Sequence, residues 1–310
     1  MEQLIAFLEA EEEIANNQEL LYPEQPLSMA EEEELSEPLD LKNLDLKVDV
    51  ANIADVSNDE YIMLRRNGFG TSDSSVVLGV NPYQTVRDLI KSKQLDHVTD
   101  EERKVGEKTA VRKGRDLEPL VIEKWVHIFG KDCIKPPHQY RSTEHEFLTF
   151  NFDGVIKDFE EKGQYIPNEI KIVTATGQKH YNAYKAWFSE FTGFRPRTEQ
   201  PESLVMIDML HDTPARVAGK RKTDIENKAR YYGIPPYYFT QLQQQIYGLK
   251  APFGFLTVLF ETTWELHTFL VWRDEATINS LIIEGAKLWD LLQSSKNSPK
   301  LIDTSSKNTL

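Results

Sequence analysis

From residue 58 to residue 293 the sequence alternates between helical periodicity and short strand runs, and this alternation constrains the fold more than any other feature. A helix repeats its apolar positions every three to four residues, a strand every second one. Chains that interleave the two patterns fold as layered α/β domains. Residues 58–66 read as a helix running into GFGTSDSS, where the glycines demand a turn and Ser72 or Asp73 is placed to cap a helix through VVLGV. A further helix covers 85–94. The segment 107–129 spaces Leu117, Leu120, Val121, Trp125 and Ile128 as a core face, with Pro119 expected in its first turn or at a kink. Strand runs follow at FLTFNFDGV and NEIKIVTA around the polar turn DFEEKGQ. Then come a helix over 236–249, strands in FGFLTVLF and WELHTFLVW, and a closing helix at 274–293.

The 310 residues carry a net charge of −14, which taken alone argues against a polyanionic partner. The charge is unevenly placed. Residues 1–60 hold 18 acidic residues against Lys42 and Lys47, whereas the remaining 250 residues hold 34 basic and 32 acidic ones. Residues 1–57, interrupted by Pro23, Pro26 and Pro38, are expected to form an acidic, partly disordered N-terminal extension with a short amphipathic helix near 2–16. Residues 58–295 are expected to form the folded domain and 296–310 a polar tail. One cysteine, Cys133, excludes a disulfide framework, a zinc ribbon and a four-cysteine cluster. No run approaches the ~20 apolar residues of a bilayer span, and the first residues lack the basic region and cleavage site of a secretory signal. A cytoplasmic protein is expected.

The hairpin at 147–175 carries the chemistry. Leu148, Phe150 and Phe152 share one face of its first strand, and Thr149, Asn151 and Asp153 the other. In the second strand Ile170 and Ile172 point to the core, while Glu169 and Lys171 point oppositely. Two carboxylates on neighbouring strands, about 5 Å apart across the pair, can both reach one Mg²⁺. The pattern Asp153, then Glu169-Ile170-Lys171, resembles the D-x(n)-E-x-K core of the restriction-endonuclease-like (PD-(D/E)XK) nucleases. On that resemblance Asp153, Glu169 and the Ile170 carbonyl bind metal, and Lys171 orients the attacking water and steadies developing negative charge. The pattern is short, and a solvated charged hairpin face produces it equally well.

Three further segments stand in the order one family uses: RRNGFGTSDSSVVLGVNPYQTVRDLIKSK (Arg65 to Lys93), KGRDLEPLVIEKW (Lys113 to Trp125) and YYFTQLQQQIYGL (Tyr237 to Leu249). With FDGV…EIK they resemble the phage lambda exonuclease/YqaJ-like viral recombinase family over roughly residues 58–260. The resemblance implies a restriction-endonuclease-like α/β core, a central mixed sheet flanked by helices. It implies a Mg²⁺-dependent 5′→3′ exonuclease on linear double-stranded DNA, with two metal ions that Mn²⁺ can replace. It also implies a homotrimeric ring, a single-strand annealing protein as partner, and a phage-encoded protein in a bacterial cytoplasm.

Carried over by position, Glu118 completes the metal site, and Gln241 and Gln243 form the glutamine pair beside it. Gln244 is expected to be an ordinary polar helix face. Arg65 and Ser72 hold a DNA 5′-phosphate at the glycine-rich turn, with Arg66 as the alternative arginine. Asn151 supplies a further phosphate contact. The family's arginine beyond the lysine has no counterpart in IVTATGQKHY, where Thr174, Thr176 or Lys179 stands. Residues 195–232 look inserted, and Arg216, Lys220, Arg221, Lys222, Lys228 and Arg230 within them suit either a solvated face or DNA phosphates. Tyr231, Tyr232, Tyr237 and Tyr238 suit packing, or stacking on frayed bases. His138, His145 and His180 show no ligand spacing. Rival functions are an endonuclease of the same fold, a non-catalytic DNA-end-binding scaffold, and an acidic interaction protein acting through its first 57 residues.

Overall fold

The computed structural model describes residues 39–159, 162–173, 204–205 and 221–297. In chain order it contains β1 (Leu46–Val50), α1 (Asn58–Leu64), α2 (Ser74–Val77), α3 (Val86–Gln94), α4 (Asp100–Glu107) and α5 (Thr109–Phe129). There follow β2 (Cys133–Ile134), β3 (Gln139–Ser142), β4 (Thr149–Phe150), β5 (Gly154–Lys157), β6 (Tyr165–Val173) and β7 (Leu204–Val205). The last elements are α6 (Arg221–Tyr231), α7 (Pro236–Gly248), β8 (Phe253–Phe260), β9 (Glu265–Trp272) and α8 (Glu275–Asn297). No described helix is long and apolar enough to cross a membrane.

The apolar run FGFLTVLF is buried at every position because β8 lies inside a six-stranded sheet, ordered β2-β5-β6-β8-β9-β7. β6 pairs with β8 in parallel and β7 with β9 in parallel, while the other pairs are antiparallel. The sheet is thus mixed, and it is covered on both faces. Val121 of α5 packs with Ile170 and Leu259 on one face. α7 lies against β6 and β8. This is the α/β core with a central mixed sheet flanked by helices that the sequence leads one to expect.

Helix starts follow the local code. Ser57 and Glu60 form a capping box on α1, as do Thr85 with Asp88 on α3 and Thr99 with Glu102 on α4. Pro119 sits in the middle of α5, not in its first turn, and the helix continues through it. Asp73 does not cap α2 with its side chain; a short 3-10 turn at Thr71–Asp73 leads into that helix, and the carboxylate is used elsewhere, as described below.

Two expectations are corrected. The run FLTFNFDGV is not one strand: β4 joins a separate three-stranded sheet, β1-β3-β4, whereas β5 joins the large one. The chain changes sheet at residues 151–153, because the Asp153 carboxylate accepts the Ile170 N–H at 3.1 Å, and backbone pairing begins only at Gly154 with Asn168. The folded body also begins earlier than residue 58. Leu39 and Leu46 are buried in the main core, and β1 pairs with β3. Parts of residues 195–232 belong to the folded body. β7 forms the edge of the large sheet, and Ile225 and Ala229 of α6 sit in the main core.

Gly154 follows the candidate metal aspartate for a packing reason. A Cβ there would lie 2.8 Å from Cys133 Sγ and 3.3 Å from the Asn168 carbonyl, so any side chain forces β2 away from β5. Gly154→Ala is expected to destabilise the fold by about 1–3 kcal/mol through overpacking, measured by urea denaturation. Adding Cys133→Ala should recover part of that loss.

Candidate active site

Glu169 lies in the middle of β6 and is 0% exposed. Register places Asn168 opposite Gly154, so Asp153, one residue before β5, falls opposite Glu169. Lys171, two residues on and therefore on the same face as Glu169, donates its ammonium to Glu169 Oε1 and stands 3.6 Å from Asp153 Oδ2. The N–H and C=O of one strand residue point to the same side. The Ile170 carbonyl is therefore aimed toward Asp153, whose carboxylate already holds the Ile170 N–H.

α7 supplies the other donors. Gln241 Nε2 donates to Glu169 Oε1 and Gln245 Nε2 to Glu169 Oε2. These two amides lie four residues apart, on one helix face. Gln243 points elsewhere: its Nε2 donates to the Trp272 carbonyl at 2.7 Å and its Oε1 accepts the Asp274 N–H at 2.8 Å. The glutamine pair on Glu169 is thus Gln241 and Gln245. Gln244 is not a polar face either. It is fully buried and donates to the carbonyls of Phe69 and Thr149, each at 3.1 Å.

Burial, and then the Asp153 charge, push the Glu169 carboxyl up to about 8 against the pull of Lys171 and Gln245. Burial opposes the charge on Lys171, but Glu169 and Asp153 together hold that ammonium above the ordinary lysine range. Glu118 reaches the same region from α5. Burial and the Asp153 charge raise its carboxyl, while Lys135, bonded to it at 2.5 Å, and Lys171 lower it. Among the described residues no three His, Cys, Asp or Glu side chains converge closely enough to hold a metal as they stand. The donor set nonetheless suits a hard divalent cation: two carboxylates and a carbonyl oxygen, with the Lys171 ammonium standing between the carboxylates where positive charge is wanted.

A second cluster adjoins the first through Asn151, two residues before Asp153. Asn151 Nδ2 donates to Tyr61 Oη at 3.0 Å, and its Oδ1 is buried without a partner. Tyr61 lies one helical turn before Arg65. The Arg65 guanidinium donates to Ser72 Oγ at 2.8 Å and stands 3.4 Å from Asp73 Oδ1, with its side chain 42% exposed. Arg66 is excluded from this pocket. It is buried, grips both Glu102 oxygens and donates to the Leu95 and His97 carbonyls. Lys93 Nζ donates to Asp73 Oδ2 at 2.7 Å and to the Arg65 carbonyl at 2.5 Å. Asp73 and Lys93 are the residues the sequence reading missed, although they lie within the Arg65-to-Lys93 motif. Gln245 was visible in the Tyr237-to-Leu249 segment only as one of four glutamines.

Thr174, Thr176, Lys179 and His180 lie outside the described residues, as do Arg216 and Lys220. Lys228 is tied to Asp274 at 2.6 Å and Asp224 at 3.2 Å, a structural role. Lys222 stands 3.9 Å from Glu226. Tyr232 is buried and stacks on Phe239, and Tyr231 packs against the core.

Residues 60–191 match the sequence profile of the YqaJ-like viral recombinase domain. This segment is similar to that domain and covers less than half of the chain. It carries Arg65, Ser72, Glu118, Asp153, Glu169 and Lys171. The YqaJ protein of Bacillus subtilis (strain 168) is 29% identical over 107 residues, 34% of this chain and 32% of that protein, so the match spans about a third of the relative's length. Among solved structures, the alkaline exonuclease LHK-Exo of Laribacter hongkongensis is similar with a TM-score of 0.46 at 13% identity, over 76% of this chain and 93% of that one. The shutoff and exonuclease protein of Kaposi's sarcoma-associated herpesvirus follows with a TM-score of 0.37 at 11% identity, over 75% of this chain and 68% of that one.

Asp73 offers a direct test of the second cluster. Burial alone would raise its carboxyl, but Lys93 and Arg65 outweigh burial and hold it below the ordinary carboxylate range. A lowered carboxyl stabilises the fold above its unfolded pKa, about 4, and the contribution fades as pH falls through the lowered value. Asp73→Asn leaves Lys93 buried without its counter-charge. It should cost about 3–5 kcal/mol at pH 7, with a smaller difference from wild type at pH 3, by urea denaturation.

Proposed function

We propose that the chain is a Mg²⁺-dependent deoxyribonuclease that digests linear duplex DNA from its 5′ ends and leaves 3′ single strands for strand annealing. The observation that carries this is Glu169: a carboxylate taken wholly out of water, gripped by two amides and a lysine, opposite a second carboxylate on the adjoining strand. Stability alone gives no reason to assemble such a group, since a buried charge pair is matched or bettered by apolar packing. The match to the YqaJ-like recombinase domain supports recombination as the setting.

Asp153, Glu169 and the Ile170 carbonyl are the groups that would hold Mg²⁺, with Glu118 beside them. When bound, the metal polarises the scissile phosphate and acidifies the attacking water. Lys171 then steadies the negative charge that develops on the phosphoryl oxygens. Gln241 and Gln245 keep Glu169 in one orientation, so the carboxylates need no reordering when a strand arrives. Arg65 and Ser72, next to the glycine-rich turn, form an anion pocket for the terminal 5′-phosphate, which favours attack from that end. A homotrimeric ring, an annealing partner and a bacterial cytoplasm are the further proposals that the family setting brings.

Duplex DNA labelled at one 5′ or one 3′ end, beside a covalently closed circle, tests the activity. Rapid Mg²⁺-dependent release of the 5′ label with an intact circle is expected. Lys171→Ala should slow the reaction by about 10²–10³-fold, the range for removing one electrostatic donor, and Asp153→Ala should abolish it. Cutting of the circle would establish an endonuclease instead. Absence of cleavage with Mg²⁺ and Mn²⁺, with end binding retained, would establish a scaffold. Arg65→Ala should slow 5′-phosphorylated ends more than 5′-hydroxyl ends, and equal slowing would remove the phosphate pocket from the mechanism.

A further inference from the structure

Tyr83 is 72% exposed, yet the loop that carries it is tied down. The Val80 and Asn81 N–H groups both donate to the Ser75 carbonyl, at 2.8 and 3.1 Å. Asn81 Nδ2 donates to Ser75 Oγ at 2.9 Å, while Asn81 Oδ1 accepts the N–H groups of Tyr83 and Gln84 at 2.8 and 2.9 Å. Gly79, at φ 73°, turns the chain out of α2, and the Thr85–Asp88 capping box anchors the far end. A backbone held this firmly, ending in a large ring left in water, gains nothing from burial of that ring.

A single exposed aromatic needs no explanation. Here the neighbours give one. The Tyr83 ring meets Tyr237 edge-on, with centroids 5.8 Å apart, and Tyr237 meets Tyr238 at 4.5 Å. The Lys171 ammonium lies 5.6 Å from the centre of the Tyr238 ring. Three tyrosines, one from the loop before α3 and two from the first turn of α7, therefore form a row. It begins at the lysine of the candidate active site and ends in solvent.

We infer that this row is a subsite for unpaired nucleobases at a DNA end, with Tyr83 as its outer stacking surface, which rests on the nuclease activity proposed above. Cleaving one strand of a duplex beside Lys171 requires that strand to part from its complement, and parting unstacks bases. An aromatic ring replaces the lost stacking without regard to sequence, because every base has a π-face. The row also has the right place. A strand with its phosphate beside Lys171 has its bases within reach of Tyr238, Tyr237 and Tyr83 in turn. Tyrosine suits the task, since its ring is apolar while its hydroxyl tolerates water. Tyr83 is the outermost ring, touched by Tyr237 on one side and open to solvent on the other.

The test uses the full chain in EDTA, which separates binding from cleavage. The probe is a duplex whose last two base pairs at one end are mismatched, with 2-aminopurine at the unpaired 5′ terminus. Wild type should quench the 2-aminopurine on binding. Tyr83→Ala should weaken binding by about tenfold, the order expected for one stacked base, and relieve the quenching. Tyr83→Phe and Tyr83→Trp should restore both. Wild-type affinity and quenching in Tyr83→Ala would overturn the subsite, as would loss of both in Tyr83→Phe, which keeps the ring. The two proposals fail separately. Quenching that depends on Tyr83 in a chain that cleaves no DNA would retain the subsite and reject the nuclease. Cleavage by a chain whose Tyr83→Ala variant binds and quenches normally would do the reverse.

Discussion

Placing an ionisable carboxylate at the centre of a covered sheet is the constraint on which the architecture turns. Burying an isolated carboxylate is expensive unless donors replace its water, and Glu169 obtains them from Lys171, Gln241 and Gln245. Two of these come from α7, so that helix must lie over β6 with residues 241 and 245 inward. Its remaining glutamines bind other parts. Gln243 ties the end of β9 to the start of α8 through Trp272 and Asp274. Gln244 holds the Phe69 and Thr149 carbonyls, joining the glycine-rich turn to the small sheet. α7 is thereby a hub whose polar side chains work from inside the core.

The second cluster solves a related problem differently. Arg65 keeps its guanidinium partly in water. Its backbone carbonyl and its counter-ion Asp73 are both fastened by Lys93, itself only 4% exposed. A buried pair thus fixes an exposed cation, which is the arrangement an anion pocket needs: rigid behind and open in front. Asn151, two residues before Asp153, is hydrogen-bonded to Tyr61, one helical turn before Arg65. The aromatic row leaves the site by another route, through the first turn of α7 and the loop before α3, so the proposed phosphate and base contacts fall to different elements.

Some disagreements between pattern and structure have local causes. FLTFNFDGV carries the alternation of one strand, yet a side-chain carboxylate replaces a backbone acceptor at Ile170 and moves the chain between sheets. Acidity marks residues 39–57 as tail-like, but Leu39 and Leu46 are core residues, because composition averages over the few apolar side chains that anchor an edge strand. The basic run near α6 resembles a phosphate-binding face, although Lys228 is spent on Asp224 and Asp274.

The sequence alone determined the α/β alternation and the pairing of Asp153 with Glu169 and Lys171. These depend on periods of two and 3.6 and on contacts across one hairpin, all short-range in the chain. Tertiary structure decided which of Gln241, Gln243 and Gln245 face Glu169, which of two adjacent arginines is buried, that Asp73 meets Lys93, and that Tyr83 meets Tyr237. Those pairs are separated by many residues or consist of chemically identical neighbours. Only the packing of α7 over β6, and of α3 beside the glycine-rich turn, sets which side chain is turned inward.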